Sequence, residues 1–597
     1  MYQQILDPVA DSLGLSAMFA ALPLLTLFVM LGVLKIKAWI AAAAALGVAL
    51  LVAIAVYSMP VGQALLSATE GATFGFFPIL WIVINAIWVY NLTVATGHFD
   101  VLRRSFERVS PDQRIQAIII AFCFGALLEA LAGFGTPVAI TVVMLMALGF
   151  SPVRAAAVAL IANTAPVAFG ALATPIVTLA DVTSGVSDDK RLTVETLGAM
   201  VGRQTPILAV IVPLVLVLVV DGRRGLRQAW LPALVAGITF GVAQFVGSNY
   251  VSVPLTDIIA ALVAAAAVVG LLRVWQPVES PDLVDHEHEY AAQVAARSRT
   301  SSGRTTTRTG QGAGSMVGQV VGDAPGEQRP GGRTGTRPGD GQAAAGGSDR
   351  GSEIAKAYAP YLIIIAIFAV ANLNGVKAAL AKEPWTTTFA WPGLHVVNSK
   401  GDPLASLMFK FNWLPAAGSL MILAGILTAI VLKVSPSRAL RAYKDTYVEL
   451  RWAIVTVMAV LGLAYVMNQS AQTTTLGAFL AQAGSAFLFI SPILGWLGVA
   501  VTGSDTSANA LFGALQVQTA AKAGLDPVLL AAANSSGGVL GKMVSPQNLA
   551  IAAGAVGMAG QEGVIFRKVL GWSLVLLLFM CVIVTLQGTW VLGWMVP

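Results

Sequence analysis

Residues 163–175 read NTAPVAFGALATP and residues 534–546 read NSSGGVLGKMVSP, and the rest of the chain is read from their likeness. Both open with Asn and a hydroxyl residue. Each then carries a Gly seven positions after the Asn (Gly170, Gly541) and a hydroxyl residue with Pro at positions eleven and twelve (Thr174 and Pro175, Ser545 and Pro546). Upstream, GFSPV at 149–153 is echoed by GLDPV at 524–528, and AGFGTP at 132–137 stands where TGSDTS does at 502–507. Gly, Pro, Asn and Thr interrupt helices. In hydrocarbon an interrupted helix is tolerated only where the freed backbone groups meet protein or a water-filled cavity. Two matched interruptions, one per half, point to a secondary transporter whose site lies near the midplane between repeats.

The surrounding sequence supplies the membrane. Across 597 residues, 56% are hydrophobic and 11% charged, against about 25% charged in soluble domains. Apolar runs at 16–34, 38–58, 73–92, 206–220, 229–248, 255–272, 357–372, 415–432, 452–468 and 570–594 approach or reach the roughly 20 helical residues that span a bilayer. With the less regular segments between them, the expectation is an all-α membrane protein. It is a polytopic bundle of about 12–14 helices with two inverted repeats containing broken or re-entrant helices.

Basic residues set the orientation. Lys35 and Lys37, Arg103 to Arg114, Arg223 to Arg227, Lys433 to Lys444, and Arg567 with Lys568 all fall between apolar runs and are assigned to the cytoplasm. The N-terminus, the C-terminus and the segment 373–414 are then external. Residues 280–355 are rich in Gly, Arg, Thr and Ser and poor in aliphatics, which predicts a disordered cytoplasmic linker. It divides an N-terminal membrane half, 1–279, from a C-terminal half, 356–597. Cys123 and Cys581 lie in apolar runs and are read as small hydrophobes without a disulfide.

Ionisable residues at membrane depth are costly and are functional candidates by default. Glu129, in LLEALAGFG, suits a group that takes a proton on one side and releases it on the other; the plainer alternative is pairing with an Arg or capping a broken helix. Asp505 occupies the corresponding break in the second half, where it serves as proton acceptor, cation ligand or helix cap. Lys542 is the basic residue within the repeat motifs. It is placed either to meet a small carboxylate beside exposed half-helix amides or to pair with Glu129 or Asp505. Asn163, Thr164, Asn534 and Ser535 offer amide and hydroxyl groups to a carboxylate and a 2-hydroxyl, or to the local backbone. Gly133 and Gly135 shape the first break. His98, His395, the run 188–191, Arg154 and Arg203 read as surface or interfacial residues. An intramembrane enzyme is disfavoured, because HExxH is absent and no Ser or Cys has an evident base.

The strings PDQRIQAIIIAFCFGALLEALAGFGTPVAIT (111–141), NTAPVAFGA (163–171), MVGRQTP (200–206), GWLGVAVTGSDTSANALFGALQ (495–516) and AANSSGGVLGKMVSPQNLAIA (532–552) resemble the bacterial L-lactate permease family. The likeness runs through most of the chain and is interrupted chiefly by the linker. The resemblance implies a carrier in the bacterial inner membrane that takes up lactate, and often glycolate, by proton symport. The resemblance implies substrate-binding roles for Asn163, Thr164, Asn534 and Ser535, to which the reading of the residues themselves adds Lys542, Gly133 and Gly135, with Glu129 and Asp505 as the coupling residues. It implies no cofactor or metal, a small carboxylate, a proton and membrane lipid as partners, no nucleic acid, and leaves a homo-oligomer open. Sodium coupling with another carboxylate is the alternative. The sequence departs from the family pattern at Ala130, where Gly is expected, and in its long linker.

Overall fold

The computed structural model describes residues 2–597 apart from 35, 108, 111, 132, 134, 278–350, 372, 400, 402, 405, 406, 559 and 560. Among the described residues, 11 helices are long and apolar enough to cross a membrane, or up to 12 if the bent pair Pro152–Ala162 and Val167–Thr183 is one span. Two shorter apolar helices, Thr136–Ala147 and Ala417–Val431, accompany them. The upper figure meets the lower edge of the roughly 12–14 helices expected from the sequence. Most of the predicted linker lies outside the described residues, but the helix Gly351–Ala371 begins inside its expected boundary.

Each half contains a helical hairpin followed by a broken helix. In the first, Gln113–Leu131 runs to a tip at Gly133 and Gly135, and Thr136–Ala147 returns beside it. Gln113 Nε2 donates to the carbonyl of Leu148 at 3.2 Å, so the start of one arm lies beside the end of the other. Gly133 (φ 54°) and Gly135 (φ 84°) adopt left-handed conformations, which side-chain-bearing residues disfavour. In the second half, Phe487–Thr502 reaches Gly503 (φ 76°) and Asp505–Ala523 returns, with Ser491 Oγ 2.8 Å from Gln516 Oε1 across the arms. The broken helices follow directly. Pro152–Ala162 and Val167–Thr183 meet at 62°, and Pro527–Gly541 leads through the short turn Lys542–Val544 into Pro546–Ala555.

Contacts between loops define two ends. At one, Arg114 bonds Asp112 (2.7 Å), Asp221 (3.2 Å) and Gln228 (2.5 Å), while Ser105 meets Tyr358. Arg114, which the sequence reading assigned with the other inter-helix basic residues to the cytoplasm, is fully buried, its guanidinium fork held by Asp112, Asp221 and Gln228. At the other end, Arg191 joins Asp526 (2.8 Å) and the carbonyl of Pro597 (3.0 Å), and Lys377 joins Glu195 (2.8 Å). The short strand Tyr2–Gln3 pairs in parallel with Val396–Val397, which ties the N-terminus to the segment 373–414. A second two-stranded sheet, Thr387–Ala390 with Met408–Phe411, is antiparallel. The first hairpin opens toward the Arg114 end and the second toward the Arg191 end, so the two tips approach one another inside the bundle.

Candidate functional site

The two tips and the two helix breaks enclose a cavity of about 670 Å³. Glu129, Gly133, Gly170, Thr174 and Pro175 line it from the first half, and Gly503, Asp505, Lys542 and Gln547 from the second. It extends past Trp39 and Trp452 to Lys37.

Glu129 sits on the last turn before the first tip and is 3% exposed. Its Oε1 accepts from Lys542 Nζ at 2.6 Å, and its Oε2 accepts from Asn163 Nδ2 at 3.0 Å. Lys542, 5% exposed, is the residue at which Pro527–Gly541 ends and its axis breaks. The pair therefore joins the first hairpin to the second broken helix. Gly170 makes this approach feasible, because a Cβ there would fall 2.8 Å from Glu129 Oε1. Immediately after it, Ala171, Leu172 and Ala173 all adopt left-handed φ values of 43–58°. Such a run costs non-glycine residues roughly 1–2 kcal/mol each, so packing holds the break open.

Asp505 is 3% exposed and opens the return arm of the second hairpin. The helix cap is its neighbour Ser504, whose hydroxyl accepts from the Ser507 amide at 3.3 Å. That leaves the Asp505 carboxylate for other work. Its Oδ2 accepts from Ser535 Oγ at 2.6 Å and, at 3.5 Å, from Asn509 Nδ2, while Oδ1 is buried without a hydrogen-bond partner among the described residues.

The remaining sequence candidates divide. Gly133 lines the cavity, and Gly135 packs on Ile551 behind it. Asn163 reaches the site through Glu129, and its Oδ1 has no hydrogen-bond partner among the described residues. Thr164 donates to the Ile161 carbonyl at 2.7 Å. Asn534 lies in a buried amide chain, donating to Asn509 Oδ1 (2.9 Å) and accepting from Gln516 Nε2 (3.2 Å). Ser535 donates to Asp505 Oδ2. Sequence reasoning passed over Asn509 and Gln516, and over three more acids in apolar helices: Glu70, bonded by Gln469 (2.6 Å), Asp257, bonded by Gln244 (2.9 Å), and Asp181. The available signal was the same one that selected Glu129, an ionisable residue within an apolar run. Of the residues set aside, Arg203 donates to Asn249 Oδ1 (3.0 Å) and to the Met595 carbonyl, away from Glu129.

Chemically, one ammonium, bonded to Glu129, shares a cavity with two buried carboxyl groups. A further carboxylate entering without a proton would leave negative charge uncompensated, and an unpaired buried charge costs about 3–5 kcal/mol.

A family model described as "L-lactate permease" matches residues 16–591. An L-lactate permease of Bacillus subtilis is 39% identical over 615 aligned residues that cover all of both chains. An L-lactate permease of Escherichia coli K12 is 38% identical over 607, again covering both fully. The glycolate permease GlcA of the same organism is 39% identical over 586, with 96% of each chain covered. Among solved structures, the YdaH transporter of Alcanivorax borkumensis aligns with a TM-score of 0.42 at 14% identity over 88% of each chain.

Proposed function

The chain belongs to the L-lactate permease family, a family of transporters and not of enzymes, and from that premise we propose that it imports L-lactate and short 2-hydroxy monocarboxylates such as glycolate by proton symport. The observation that carries the coupling is the Lys542–Glu129 pair on the cavity wall. A proton arriving on Glu129 removes the charge that holds Lys542 and frees the ammonium for a substrate carboxylate. Substrate alone meets an ammonium already neutralised, so substrate and proton move together. One proton with one monoanion makes the step electroneutral.

Asn163 supports this role, since its Nδ2 holds Glu129 and its Oδ1, without a partner among the described residues, is a ready acceptor for a substrate hydroxyl. Asp505 and Ser535 form the matching element on the second tip, and Thr164 and Asn534 keep the breaks in shape. The opposite openings of the two hairpins support reading the halves as inverted repeats, with 1–279 and 356–597 as the two membrane units. If the Arg114 end is cytoplasmic, as the basic residues indicate, the cavity is open to the cytoplasm. The N-terminus, the C-terminus and the segment 373–414 then face outward across a bacterial inner membrane.

Radiolabelled L-lactate uptake into proteoliposomes under an inward proton gradient without sodium tests the reading. Saturable uptake that a protonophore abolishes is expected. A requirement for sodium would overturn the coupling ion, and no uptake of lactate or glycolate under either gradient would overturn the substrate.

A further inference from the structure

A second polar cavity, of about 540 Å³, opens at the Arg191 end, on the far side of the half-helix Gly170–Thr183 from the central site. Thr174 and Pro175 of that half-helix line the central cavity, while Val177 and Asp181 line the second. About 9 Å of helix, at 1.5 Å per residue, separates Pro175 from Asp181. The charged residues lining this vestibule are Asp181, Glu195, Lys377 and Lys410. Lys377 is bonded to Glu195. Asp181 Oδ2 is shut off from solvent with no hydrogen-bond partner among the described residues. Lys410 lines the same vestibule as Asp181 and is close enough for its charge to act on the Asp181 carboxyl, as Glu70 and Asp181 act on the buried Tyr465 of the long helix Pro436–Gln469. Lys410 stands on the strand Met408–Phe411, which is fixed over the vestibule by ring contacts of Phe409 with Phe74 and of Phe411 with Phe77.

The charge balance is informative. With Asp181 ionised, its carboxylate and Glu195 cancel Lys410 and Lys377. With a proton on Asp181, one positive charge is left over, and a monocarboxylate neutralises it. The same condition governs the central site, where a proton on Glu129 releases Lys542.

We propose that this vestibule is a second substrate site, the outer loading site of the carrier, in which Lys410 holds the acid's carboxylate and Asp181 takes the accompanying proton before the half-helix Gly170–Thr183 moves and admits both to the Glu129–Lys542 site. The proposal rests on the transport reading above. It adds a loading step at the opposite end from the open cavity, with its own cation and its own acid.

The test measures L-lactate uptake into cells against external concentration and external pH. Lys410→Gln should raise the half-saturation concentration about tenfold, the loss expected for one charge-assisted contact, with the maximal rate kept within about twofold, and Lys410→Arg should restore it. Asp181→Asn should flatten the dependence of uptake on external pH while lactate–lactate exchange, which needs no net proton movement, continues. Lys444→Gln, on an exposed position of the opposite end, is the control. A readout independent of turnover is labelling of Asn412→Cys in the vestibule wall by a membrane-impermeant maleimide. L-lactate should slow that labelling with Lys410 present and fail to slow it in Lys410→Gln. Unchanged half-saturation, pH profile and protection in these variants, with transport by the unmodified protein intact, would overturn the loading site alone. Absence of lactate and glycolate transport by the unmodified protein would overturn the transport reading and this inference with it.

Discussion

Glu129 and Lys542 stand 413 positions apart in the chain and 2.6 Å apart in space. Their candidacy was legible in the sequence, because ionisable side chains in hydrocarbon need a reason. Their pairing was one of the alternatives open for Lys542, beside Asp505 or a substrate carboxylate, and nothing local in LLEALAGFG chose among them; the structure places Lys542 on Glu129. For Asp505 the sequence left proton acceptor, cation ligand and helix cap open; Ser504 caps the helix, and Asp505 accepts from Ser535. Gly170 tests the geometry at this scale. In Gly170→Ala the new Cβ falls 2.8 Å from Glu129 Oε1 and displaces the carboxylate from Lys542. Lactate uptake should fall by at least about tenfold while the protein still elutes as a folded species in detergent; wild-type uptake would show that the pair tolerates displacement.

At the scale of elements, the repeat strings located both breaks, but the two breaks are built differently. The second passes through the turn Lys542–Val544, with Ser545 capping the next half-helix. The first uses the left-handed run Ala171–Ala173, and Ala171 is the counterpart of Lys542. Ala and Leu carry no turn signal, so this run was invisible in the sequence. The hairpins were also only half legible, because a 19-residue apolar arm such as Gln113–Leu131 reads as a crossing until its return partner is seen. Glycine governs how tightly the second hairpin grips its broken helix. A Cβ on Gly537 would lie 2.6 Å from Pro492 Cα, and one on Gly541 2.8 Å from the Ala500 amide nitrogen. These are backbone approaches that only small residues permit. Gly537→Leu should therefore lower the unfolding temperature in detergent sharply, with overpacking of about 1–3 kcal/mol or more. Gly62→Ala, with nothing within 4 Å of its Cβ, should leave it within about 0.5 kcal/mol.

Over the whole molecule, the basic residues of the sequence and the loop contacts of the structure sort the segments alike. Arg114 with Asp221, and Ser105 with Tyr358, gather at one end; Tyr2 with the strand Val396–Val397, and Arg191 with Pro597, gather at the other. A membrane-impermeant thiol reagent applied to intact cells should accordingly label Ser399→Cys and spare Ser437→Cys, and the reverse pattern would invert the orientation. In the proposed carrier the cavity open toward Lys37 and the vestibule under Lys410 would be the two access routes to one central pair. The central claim is that Glu129 carries the proton that travels with the acid. It is tested most directly by reconstituting the wild type and Glu129→Gln with an internal pH dye and imposing an inward lactate gradient at equal pH. The account predicts lactate-driven acidification of wild-type vesicles at one proton per lactate, and its loss by at least about tenfold in Glu129→Gln while lactate–lactate exchange persists. A Glu129→Gln protein that acidifies its vesicles as the wild type does would contradict it.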